Sequence, residues 1–184
     1  IDLVDGIKVV NPNKATWIYR TAKKNDKIDA RKMAVLLSIG EIPQVHMPSL
    51  EVRQWRQTIL HRRKIIFKIV STKNRIRATF KSRGYKKPST KANWWSQAAR
   101  LWMHNIICEQ NHRACDLWRL HLSDLLEELE LLEKQLKKVT DYLDSYLSKQ
   151  PGGALLMSIP GVGPRTAEAV LAYTDDVERF GNYK

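Results

Sequence analysis

Ten side chains, Cys115, Trp118, Leu122, Leu125, Leu129, Leu132, Leu136, Val139, Leu143 and Tyr146, alternate steps of three and four residues without a break. Apolar groups at that spacing fall on one stripe of an α-helix, and over four heptads the stripe reads as a coiled-coil seam. At 1.5 Å per residue such a seam would run for roughly 45 Å. It cannot be left in water, so the chain needs a second long helix to cover it. One is present upstream. From Ser49 to about Gly84, Val52, Trp55, Ile59, Ile66, Ile69, Ile76 and Phe80 keep a similar register, and Ser49 offers a cap at the start. The other faces of this first helix are dense in base, and after Glu51 no acid occurs before Glu109. The second helix is acidic in its middle, at Glu127, Glu128, Glu130 and Glu133. The two could therefore pair antiparallel within one chain or between two chains, with charge setting the partner.

The charge balance carries the next step. Lys plus Arg number 32 against 19 Asp plus Glu in 184 residues, a net charge of +13. The isoelectric point is near 9.9 and the mean hydropathy is −0.44. Such a surplus suits a polyanionic partner, most naturally nucleic acid. Arg62, Arg63, Lys64, Lys73 and Arg77 on the first long helix are candidate phosphate contacts, each releasing counterions on binding. A merely solvated basic face is the plain alternative. No apolar run reaches the length of a membrane span, and a cytoplasmic location is expected. Two cysteines make no disulfide framework. Cys108, His112, Cys115 and His121 do not match zinc-finger spacing, and Cys115 falls on the seam, so they read as ordinary helix and core residues.

Taken in order, Ile7–Val10 reads as a short strand closed by Asn11-Pro12. A helix follows from about Asp26 to Ile39, with Ala30, Met33, Ala34 and Leu37 as its buried face and Gly40 as its stop. Pro43 to Pro48 is an extended connector. Trp94, Trp95, Leu101 and Trp102 mark a short helical piece, whose aromatics could stack on bases but read better as core. After Pro151-Gly152-Gly153 the pattern is helix, glycine hairpin, helix. Gly161 and Gly163 let backbone amides approach a phosphate at the start of the last helix, beside Arg165 and Thr166. A structural turn between packed helices is the alternative.

Asp26 and Asp29 lie three residues apart, so a helix puts both on one face, among lysines and an arginine. Paired carboxylates can hold Mg²⁺, and an exposed helix of alternating charge would look the same. The surrounding string, Lys24-Asn25-Asp26-Lys27-Ile28-Asp29-Ala30-Arg31-Lys32-Met33-Ala34, resembles the K-T-D-x-x-D-A-x-x-(L/M)-A signature of the DEDD insertion-sequence transposases. These are the relatives of the Piv invertase and of the bridge-RNA-guided recombinases. Val9-Val10-Asn11-Pro12 resembles that family's strand end, and Ile159-Pro160-Gly161-Val162-Gly163-Pro164-Arg165-Thr166-Ala167 its C-terminal motif. Asn25 stands where threonine is common and keeps a capping residue before Asp26.

The resemblance implies a mainly α chain of three parts. Residues 1–48 would be the end of an RNase-H-like, RuvC-like α/β domain, 49–150 a linker of long antiparallel coiled-coil helices, and 151–184 the start of a C-terminal transposase domain with a helix-hairpin-helix. It implies metal-dependent DNA strand exchange, with Asp26 and Asp29 as the third and fourth acids of the Mg²⁺ site. The first two acids would precede Ile1 and the nucleophilic serine would follow Lys184. Ser158 precedes the hairpin and is not that serine. The expectation is a piece cut at both ends that binds nucleic acid without cutting it. The expected partners are DNA, a structured guide RNA and further copies of the chain through the coiled coil. Two other functions fit the residues alone: a non-catalytic helix-hairpin-helix binding protein, and a coiled-coil scaffold.

Overall fold

The computed structural model describes residues 8–11, 25–86, 93–108, 117–178 and 180. The chain divides into two compact units, one of Ile1–Arg53 with Asp175–Lys184, the other of Gln54–Thr174. Its helices are α1 (Asp26–Ser38), α2 (Leu50–Ser82), α3 (Gln97–Cys108), α4 (Leu117–Ser148), α5 (Pro151–Met157) and α6 (Pro164–Thr174). The mainly α reading holds. Among the described residues no extended strand forms. Val10 makes a single antiparallel bridge to Gln44. Val45 N–H donates to the Val9 carbonyl at 2.9 Å. Thus the connector pairs with the end of the expected strand, whose first residue, Ile7, lies outside the described residues.

In the smaller unit, α1 starts and stops as its sequence dictates. The Asn25 side chain accepts from the Lys27 amide at 3.0 Å. At the other end Gly40 takes φ +74°, which a residue with a side chain rarely adopts. Its amide bonds the Leu37 carbonyl, and the Glu41 amide bonds the Leu36 carbonyl, closing a Schellman motif. The buried face differs from the expected one. Leu36 is the buried residue of α1, whereas Met33 and Leu37 are exposed. With Val35 and Ile39 also exposed, apolar side chains ring this short helix, and its periodicity alone could not select a face.

The larger unit is organised by α2 and α4. Trp55 meets Tyr146, Lys73 meets Glu133 and Arg75 meets Glu128, so the partner number falls as the α2 number rises. The helices therefore run antiparallel within one chain. On α4 the expected stripe is buried at Leu122, Leu125, Leu129, Leu132 and Leu143, joined by Leu126 and Leu147. On α2 the register is shifted. Ile65 is buried and Ile66 is 43% exposed, while Arg62 and Thr72 occupy inward positions that a search for apolar residues passes over. Each large apolar side chain so buried contributes about 1.5–3 kcal/mol.

One core gathers Ile65, Ile69, Ile76, Phe80, Met103, Ile106 and the first half of α4. Trp94 and Trp102 pack on Phe80, with ring centroids 5.9 and 5.1 Å away, so these two belong to the core. At its end α2 closes in a second Schellman motif with Gly84 at φ +77°, and Tyr85 packs edge-on against Phe80. A second core joins Trp55, Leu143, Leu147, Ala167 and Ala172. It seats α5 and α6 on the helical pair, within the unit of Gln54–Thr174.

Candidate functional site

Two sets of charged residues were expected to act, and the structure places them in different units. Asp26 and Asp29 both lie in the first turn of α1. Acids there sit at the positive end of the helix dipole, a favourable place for negative side chains. The Asp29 amide bonds the Asn25 carbonyl at 3.1 Å, so the turn that carries both carboxylates is regular. Among the described residues no third Asp, Glu, His or Cys joins them in a metal-holding group. Of Cys108, His112, Cys115 and His121, the two residues His112 and Cys115 lie outside the described residues.

The basic residues of α2 separate into two classes. Arg63, Lys64, Lys68, Arg77 and Lys81 are exposed. Lys73 is not free in the same way: its ammonium sits 3.0 Å from Glu133 and 5.0 Å from the Trp95 ring centroid, which Arg77 also approaches at 5.4 Å. Glu133 also receives Arg100 at 2.8 Å. Burial pushes its carboxyl up, but hydrogen bonds and charge from Lys73 and Arg100 outweigh that and hold it below its ordinary 4.5.

Arg62 departs most from expectation. It is 8% exposed, and both its terminal nitrogens donate to Glu168 of α6, at 2.8 and 2.9 Å. A forked pair of this geometry is strong and directional. Its guanidinium is committed inside the protein, so the reading of Arg62 as a phosphate contact is withdrawn. Sequence inspection missed Glu168. The signal was there: it is a single acid on the apolar stripe Ala167, Leu171, Ala172, opposite a gap in the α2 seam at residue 62.

The glycine hairpin lies next to this pair. Gly161 takes φ +86°, a conformation open to glycine, and Gly163 has open space where a side chain would project. Gly163 caps α6, its carbonyl accepting from the amides of Thr166 and Ala167 at 3.0 Å each. Gly161, Gly163 and Thr166 are exposed. Arg165 donates to Asp144 of α4 at 2.8 Å and to Glu168 at 3.1 Å. Burial works against its charge, yet Asp144 and then Glu168 more than compensate and raise its pKa. From the other end of α6, Arg56 donates to the Ala172 carbonyl at 2.6 Å and lies over the Tyr173 ring. Arginines of α2 thus grip α6 at its middle and its C-terminus.

Comparison with known families assigns both ends of the chain. Residues 6–83 match a family described as transposase, of the DEDD and IS110 type. Residues 153–184 match the transposase IS116/IS110/IS902 family. No curated protein and no solved structure matches the chain. The first match contains Asp26, Asp29 and the exposed bases of α2, and the second contains the hairpin, Arg165 and Glu168. The chain belongs to the DEDD-type insertion-sequence transposases of the IS110 kind, a family of DNA recombinases.

Proposed function

We propose that this chain grips the backbone of DNA with the exposed bases of α2 and with the glycine hairpin, and that Asp26 and Asp29 serve metal-dependent strand exchange. The observation that carries the reading is the hairpin: two exposed glycines, one at positive φ, open onto the capped start of α6 in the same compact unit as Arg63, Lys64 and Arg77. The exposed glycines let a phosphate approach the backbone closely, and the basic side chains there suit its oxygens and carry no sequence information.

Asp26 and Asp29 supply the hard oxygen donors that a divalent cation such as Mg²⁺ prefers. Two carboxylates leave it under-coordinated, so strand exchange needs donors beyond these two, and none joins them among the described residues; on this reading the chain by itself binds without cutting. The metal, when bound, would stabilise charge on the reacting phosphate. The role of this chain's residues is to hold the two acids on one helix face and the duplex against α2. A structured guide RNA would use the same basic surface. Self-association would use outward side chains such as Leu60, Phe67 and Val70 on α2 and Leu131 and Tyr142 on α4, because the inward stripe is already covered.

The test is duplex binding by the 184-residue chain over a range of salt. Arg63→Ala with Arg77→Ala should lower the slope of log affinity against log salt by about 2. A slope equal to that of the unaltered chain would remove α2 from the interface. In the intact recombinase, Asp26→Asn should abolish recombination and leave DNA affinity within about twofold.

A further inference from the structure

The ion network at the hairpin contains more than the phosphate reading requires. Glu168 is fully buried, and its two oxygens serve two arginines: Oε1 and Oε2 receive Arg62, and Oε2 also receives Arg165 at 3.1 Å. Arg165 Nη2 donates to Asp144 Oδ2 at 2.8 Å, and Nη1 stands 2.8 Å from Oδ1 as an ion-pair contact without hydrogen-bond alignment. Three helices, α2, α4 and α6, meet in this chain of two cations and two anions. Unlike Arg62, Arg165 is not closed off, for its side chain is 41% exposed. It sits two residues beyond Gly163, on the first turn of α6. Its guanidinium is thus held by carboxylates along two nitrogens, on a side chain that is partly open to solvent. A long arginine held in this way loses little rotamer freedom on meeting a ligand, the usual source of weak surface pairing.

We propose that Asp144 and Glu168 are positioning residues, which hold the Arg165 guanidinium ready for a backbone phosphate of duplex DNA at the glycine hairpin. The proposal rests on the hairpin being a phosphate site. Arg62 anchors the arrangement from α2 by fixing Glu168, so the hairpin contact depends on how α6 is seated on the long helix.

The test turns on sign. Asp144→Asn removes an acid from a basic protein, and charge alone would tighten DNA binding. Positioning requires the opposite: about fivefold weaker binding to a short duplex, at an almost unchanged salt slope. Arg165→Lys, which keeps the charge and loses the fork, should weaken binding by a similar factor of about five. Arg165→Ala should weaken it about tenfold and reduce the salt slope by about 1. If Arg165→Ala binds like the unaltered chain, the hairpin reading fails and this proposal with it. If Arg165→Ala is weak while Asp144→Asn or Arg165→Lys binds as well as the unaltered chain, the hairpin reading survives and the positioning role is overturned.

Discussion

Helices α1 and α6 open with the same device and use it in opposite ways. Each carries a charged pair at i and i+3 near its start: Asp26 with Asp29 in the first turn of α1, and Arg165 with Glu168, which lies just past the first turn of α6. Each begins after a capping residue, Asn25 in one and Gly163 in the other. On α1 both charges are negative, with Asp26 exposed and Asp29 partly buried. On α6 the charges are opposite, one of them is wholly buried, and two further groups from other helices complete them. Helical spacing brings two side chains together in either case. Whether they form a ligand-seeking pair or an internal clamp depends on what packs against that turn.

Removing one member of each pair should therefore have very different costs. Glu168→Gln leaves Arg62 buried beside a neutral group, and the stability of the chain should fall by about 3–5 kcal/mol in urea unfolding. A loss below about 1 kcal/mol would mean that the clamp is not buried in solution, and the contrast with α1 would disappear.

Acid should probe the helical pair next. The Glu133 carboxyl is held below 4.5 in the folded chain, so its contribution is present above that pH and fades as pH falls through the lowered value. Glu133→Gln should flatten the acid side of a stability-against-pH curve. The effect should stay at or below about 1 kcal/mol, because the group is partly exposed. A steeper acid limb in the variant would contradict the assignment.

The smallest effect belongs to α1. Asp26→Asn with Asp29→Asn should shift the unfolding midpoint by an amount equivalent to about 0.5 kcal/mol, from the lost interaction with the helix dipole. A loss comparable to that of Glu168→Gln would show these acids to be structural partners within the fold.

Much of this architecture was legible beforehand. The helix stops at Gly40 and Gly84 follow from the conformations open to glycine, and the start of α1 follows from Asn25. Most of the α4 stripe could be read directly because every residue it buries is Leu. The α2 register could not, since two of its inward positions are Arg62 and Thr72, and a polar residue on a seam looks in sequence like a break in it. For the same reason Arg62 resembled its exposed neighbours Arg63 and Lys64. Only Glu168, 106 positions away, distinguishes it.

The sequence by itself determined the helices, their caps, the glycine hairpin and the excess of positive charge. These depend on neighbours within about four residues or on composition, both of which are printed along the chain. The tertiary structure alone decided which charges face water. That choice depends on partners brought from distant positions. An arginine without a buried carboxylate opposite must stay in solvent, and one with such a partner need not.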